Sequence, residues 1–165
     1  MKVKWTIEKN LFPEMQANLN GINGKKIQVG CKGENAWLAG IHEYGCKITV
    51  TPAMRSWLHR NGLHLKQTTR YITIPERSFL RAGFDKHHME IIKTGEDIFS
   101  LVLEGKIDAD TFLNMIGLEL ATKIKEYAVD LRKPGNHPFT IERKGSSNPL
   151  VASGNLVDSI KHSIE

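Results

Sequence analysis

The sequence predicts an α+β fold, with a small antiparallel sheet of short strands packed against two long amphipathic helices. Three observations carry this. Short strand-like stretches lie between residues 25 and 75, apolar residues switch to a helical period after Pro75, and the two kinds of segment are segregated along the chain. The 165 residues suit one domain, long enough to bury a core without disulfide or metal.

The opening "MKVKWTIEKNLF" is charged and lacks an apolar signal core, so secretion through a signal peptide is not expected. No run of ~18 apolar residues occurs anywhere, so no transmembrane helix and no membrane partner are expected. "NLNGINGKK" (18–26) is rich in Asn and Gly and predicts a turn. "KKIQVGCK" (25–32) alternates, with Ile27, Val29 and Cys31 on one face, and predicts a half-buried strand. "ENAWLAGIHEYG" (34–45) changes period: Trp37, Ile41 and Tyr44 at i, i+4, i+7 predict a short helix that turns these three inward and stops at Gly45. "CKITVT" (46–51) and "RYITIP" (70–75) predict strands, the second ended by Pro75. Pro52 opens a helical turn between them. Residues 52–70 as a whole are expected to form a mobile basic loop.

Two long helices follow. Residues 84–105 line up Ile91, Ile98 and Val102, with Gly105 as the stop. The second starts at Asp108, whose carboxylate can accept from first-turn amides, and carries the stripe Phe112, Ile116, Leu120, Ile124, Tyr127 and Leu131 before Pro134–Gly135 breaks it. "FTIERKG" (139–145) predicts an extended segment. Ser153 is expected to cap a short helical turn pointing Leu156 and Ile160 inward.

Candidate chemistry starts with His42-Glu43. A zinc-peptidase helix needs His at i and i+4 around a Glu, but here the i+4 position is Cys46, and Gly45 intervenes. His42 and Glu43 are therefore expected at a helix end, facing outward or toward a partner. The sequence contains neither a GxSxG elbow nor a GxxxxGK[ST] phosphate loop. No catalytic residue, metal or cofactor is assigned, and Cys31 and Cys46, which form no CxxC pair, are expected as free thiols. The formal charge of +5 permits contact with an anionic surface. Its densest expression, residues 54–70, carries Arg55, Arg60, Lys66 and Arg70 without an acid. "IPERSFLRAGFD" (74–85) has two readings. It is a structural corner docking Phe79 and Leu80, with Glu76, Arg77 and Arg81 in surface ion pairs, or it is an inter-subunit anchor.

Three segments in order, Ala39–Gly45 ("AGIHEYG"), Ile74–Arg81 ("IPERSFLR") and Pro149–Ile160 ("PLVASGNLVDSI"), resemble the virion-morphogenesis and tail-completion (neck, head–tail joining) proteins of tailed bacteriophages and prophages. The family's second motif usually has a second proline where this chain has Ser78, and its third usually has Thr where this chain has Ser153. The resemblance implies a non-enzymatic α+β domain, without cofactor, that assembles with copies of itself, commonly as a ring. Its other implied partners are phage neck, connector or tail proteins, with possible contact to packaged DNA. Its place is the virion, and the host bacterial cytoplasm during assembly. The subunit-interface candidates are His42, Glu43, Tyr44, Glu76, Arg77, Phe79 and Arg81, and the partner-loop candidates are Arg55, Arg60, Lys66 and Arg70. The alternative is a DNA-binding accessory domain using residues 54–70. A remoter one is a metal-dependent hydrolase at His42 and Glu43.

Overall fold

The computed structural model describes residues 10–165, and the fold is α+β. Among these residues the order is α1 (Phe12–Ile22), β1 (Ile27–Cys31), α2 (Asn35–Tyr44), β2 (Cys46–Thr49), α3 (Pro52–Arg60), β3 (Tyr71–Ile74), α4 (Leu80–Leu103), α5 (Ala109–Asp130), α6 (Pro138–Lys144), α7 (Asn155–Asp158) and β4 (Ile160–Ile164).

Two separate two-stranded antiparallel sheets form. β1 pairs with β4, Ile27 opposite Ile164 and Cys31 opposite Ile160. β2 pairs with β3, Cys46 opposite Ile74 and Thr49 opposite Tyr71. The long helices α4 and α5 pack together, and the β1–β4 sheet lies on α5. The stripe expected on α5 is the core face: Leu120, Ala121, Ile124 and Ala128 are buried. Ala39, Phe79, Ile91, Leu150, Leu156, Val157 and Ile160 close the same core. Burying each Leu, Ile, Val or Phe side chain contributes roughly 1.5–3 kcal/mol, and each alanine methyl less. Asp108 caps α5 as expected, accepting from the Thr111 N–H at 2.7 Å.

Close approach of β4 to α5 depends on Gly117, where an added Cβ would lie 2.6 Å from the His162 ring. His162 is further held by a 3.0 Å hydrogen bond between Nε2 and Asn114 Oδ1.

Several expectations are corrected. The 18–26 turn begins only after α1, whose half-buried Met15, Asn18 and Ile22 give it an inward face. The extended segment expected at 139–145 is α6, started by Pro138 and by the His137 ring accepting from the Phe139 N–H at 3.2 Å. α7 has Gly154 at its N-cap with no side-chain bond, so Ser153 does not cap it. Ile160 is inward as expected, but as the first residue of a strand. Residues 52–70 are not simply a loop. Thr51 caps α3 through a 3.1 Å bond from the Met54 N–H, and Arg55 ties down the return segment. Its guanidinium donates to the carbonyls of Leu65, Lys66 and Thr69.

Candidate functional site

The helix α2 ends at Gly45 because the chain must turn sharply back along β2. Gly45 has φ 67°, and a Cβ there would sit 2.8 Å from Glu76 N and from Ile74 O. Only glycine allows the end of α2 to touch the end of β3 this closely. That contact sets Glu43 under the start of α4.

Glu43 is 3% exposed. Its Oε2 accepts from the backbone N–H groups of Phe79 and Leu80, both at 2.9 Å. Its Oε1 accepts from the Arg81 N–H at 3.1 Å, the Ser78 hydroxyl at 2.7 Å and Arg81 Nε at 3.0 Å. A helix start leaves backbone donors without intrahelical partners and carries partial positive charge. The N-cap residue Phe79 offers no side-chain cap of its own. A carboxylate from 36 residues earlier therefore satisfies the start of α4, leaving Phe79 free to fill the core at 0% exposure. Burial by itself pushes the Glu43 carboxyl up, but the hydrogen bonds from Ser78, Leu80 and Arg81 together outweigh it and hold it below its ordinary value.

Next to this cap, Arg77 is 5% exposed and locks a second segment. Its Nε donates to Pro134 O at 2.7 Å, and its Nη2 donates to Gly135 O at 2.9 Å and Asn136 Oδ1 at 3.2 Å. Its backbone N–H donates to His42 O at 2.7 Å. His42 Nδ1 lies 3.5 Å from Arg77 Nη1 and can act toward it only as an acceptor, because a guanidinium has no acceptor. Burial first, then the charges of Arg77 and Lys144, push His42 down to about 4. His42 is thus held neutral at ordinary pH.

The third segment closes the ring of contacts. Asn136 Nδ2 donates to Asn148 O at 3.4 Å. Lys144 Nζ donates to the carbonyls of Asn148 and Pro149. The buried Asn148 side chain donates to Val129 O at 2.8 Å and accepts from the N–H groups of Leu150 and Val151 at 2.9 and 3.1 Å. These bonds deliver Leu150 to the core.

No family model, curated protein or solved structure matches this chain.

The outward orientation expected for His42 and Glu43 is corrected: Glu43 is buried and fully engaged, and His42 is half-buried between α2 and the 134–144 segment. Arg77 is buried too, so it is not a surface salt-bridge residue, and its partners are carbonyl and amide oxygens rather than acids. Phe79 is core. Tyr44, Glu76 and Arg81 do reach the surface. Tyr44 is 68% exposed, Arg81 stacks over its ring at 4.8 Å, and Arg81 Nη2 meets Glu76 at 2.8 Å. The inward placement expected of Trp37 and Tyr44 is reversed. Trp37 is 75% exposed, and α2 buries Ala39 and Glu43 instead. Arg60, Lys66 and Arg70 are exposed, while Arg55 is half-buried.

No group of three or more His, Cys, Asp or Glu side chains is placed to hold a metal among the described residues. Glu43 cannot serve as a general base in this arrangement, because both its oxygens already accept from fixed donors. Asn136, Lys144 and Asn148 were not among the sequence candidates. The "NP" pair at 148–149 was the available signal, since Asn before Pro favours turns built on the Asn side chain.

Proposed function

We propose that this chain is a phage or prophage structural protein for virion assembly, acting at tail completion or head–tail joining through subunit interfaces. What supports the reading is that the three segments carrying the resemblance meet in a single joint. Glu43 of the first caps the helix begun by the second, Arg77 of the second holds residues 134–136, and Asn136 reaches Asn148, which sets the third. The residues that make the resemblance recognisable are thus engaged in architecture. Tyr44, Arg81 and Glu76 form an exposed cluster on the outer side of the joint, suited to a neighbouring subunit. Among the described residues two short sheets with open edges offer further sites for subunit contact.

The test is deletion of the gene in its own phage or prophage, followed by electron microscopy of the particles formed on induction. The expected result is heads and tails that accumulate unjoined, or tails of abnormal ends, with rescue by the wild-type chain and the chain itself recovered from finished particles. Normal infectious particles lacking the chain would sink the proposal.

A further inference from the structure

A groove of about 480 Å³ runs between β3 and residues 135–140. Four successive residues, 72 to 75, line its near side. Alternate residues would line a face of the sheet, so four in a row mark the groove as lying along the edge of β3. Among the described residues that edge is open, because β3 pairs with β2 alone. The Val50 N–H donates to Arg70 O at 2.9 Å, which makes 50 and 70 a hydrogen-bonded pair of the ladder. By the antiparallel alternation, Ile72 and Ile74 direct their backbone groups to β2, and Tyr71 and Thr73 direct theirs to the open side.

The far wall is cationic and polar. It holds Arg77, His42, Asn136, His137 and Thr140, and among the described residues no Asp or Glu lines the groove. Among the described residues Arg77 has no carboxylate partner; its bonds run to neutral oxygens. His137 Nδ1 accepts from the Phe139 N–H, which leaves its Nε2 as the protonated nitrogen of the neutral ring.

We propose that this groove binds an extended segment of a partner protein, which adds as a strand to β3 and sets an Asp or Glu side chain against Arg77 and His137. Main-chain pairing to Tyr71 and Thr73 supplies affinity, and the uncompensated guanidinium selects the acid. A second copy of this chain is a poorer occupant: on the described strands β1 to β4 there is no Asp or Glu. The inference rests on the groove and its charge, and does not require the virion reading.

The experiment is backbone amide hydrogen exchange of the full chain, with and without a synthetic peptide alternating valine and glutamate, and with its valine–glutamine counterpart. The glutamate peptide is expected to slow exchange at Tyr71 and Thr73 and to bind about tenfold more tightly than the glutamine peptide. Thr73→Pro removes the outward N–H while leaving the bonds to β2, and is expected to weaken binding about fivefold or more. Thr140→Glu, an exposed position, is expected to abolish the preference for glutamate. Unchanged exchange at Tyr71 and Thr73 with the glutamate peptide at its solubility limit overturns the proposal. Equal binding of the two peptides overturns it as well. So does protection of these amides without peptide in a chain that sediments as an oligomer, which would assign the edge to a second copy.

Discussion

Replacing Glu43 strikes the joint where it is most buried. In Glu43→Ala the N–H groups of Phe79, Leu80 and Arg81 and the Ser78 hydroxyl lose their acceptor in a site water barely reaches. Leaving a buried donor unsatisfied costs about 1–3 kcal/mol, and removing one partner from a buried charged arrangement about 3–5 kcal/mol. Relaxation of the first turn of α4 toward water recovers part of this, so the expected loss is about 4 kcal/mol. Glu43→Gln is the gentler probe. One amide oxygen can serve either the Phe79–Leu80 pair or the Ser78–Arg81 group, but the NH2 then faces donors on the other side. Its expected loss is about 2–3 kcal/mol. With a urea slope of about 2 kcal/mol per molar, the midpoint falls by about 2 M for alanine and about 1 M for glutamine. The assay is urea unfolding followed by far-UV circular dichroism at neutral pH. If both midpoints stayed within about 0.3 M of wild type, the cap would not be holding α4 in place and the reasoning would be refuted.

Three further outcomes are expected. His42 titrates at about 4 in the fold and at 6.5 as an ordinary histidine. On lowering pH the unfolded chain takes up its proton first, so stability is full above pH 6.5 and falls between 6.5 and about 4. The expected loss is about 2 kcal/mol after allowance for partial exposure. Urea midpoints at pH 7 and pH 5 should differ less in His42→Asn than in wild type, and an equal difference would count against it. Asn148→Ala removes an acceptor of two backbone N–H groups and a donor to Val129 O, and is expected to lower stability by about 2–3 kcal/mol in the same assay. Arg55→Gln frees the return segment after α3; limited proteolysis should cut within residues 61–70 faster than in wild type, and an unchanged cleavage pattern would show that Arg55 does not restrain it.

The elements with strong local signals were legible. β1 alternates cleanly, α5 carries both a capping Asp108 and a full apolar stripe, and Pro75 ends β3. What escaped was decided by distant partners. The periodicity of 34–45 favoured turning Trp37 and Tyr44 inward, yet the helix is rotated so that Glu43 goes in. A carboxylate is buried only where donors await it, and those lie 35 to 38 residues later in the chain. For the same reason α4 begins at Leu80 rather than near 84: its cap is not in its own sequence. β4 was hidden because Leu156 and Ile160 also fit a helical spacing, and only pairing with β1 separates the strand from the preceding turn. The seven residues of α6 give too little pattern to distinguish a helical from an extended period.

Whether His42-Glu43 belongs to architecture or to reaction chemistry comes down to the protonation of one carboxyl. A general acid or base works best with a pKa near the operating pH, whereas a carboxylate capping a helix start stays ionised well below it. Titration of the Glu43 side-chain carboxyl by carbon-13 NMR separates the two. The account predicts a midpoint below the ordinary 4.5. A Glu43 carboxyl titrating near neutrality would contradict it.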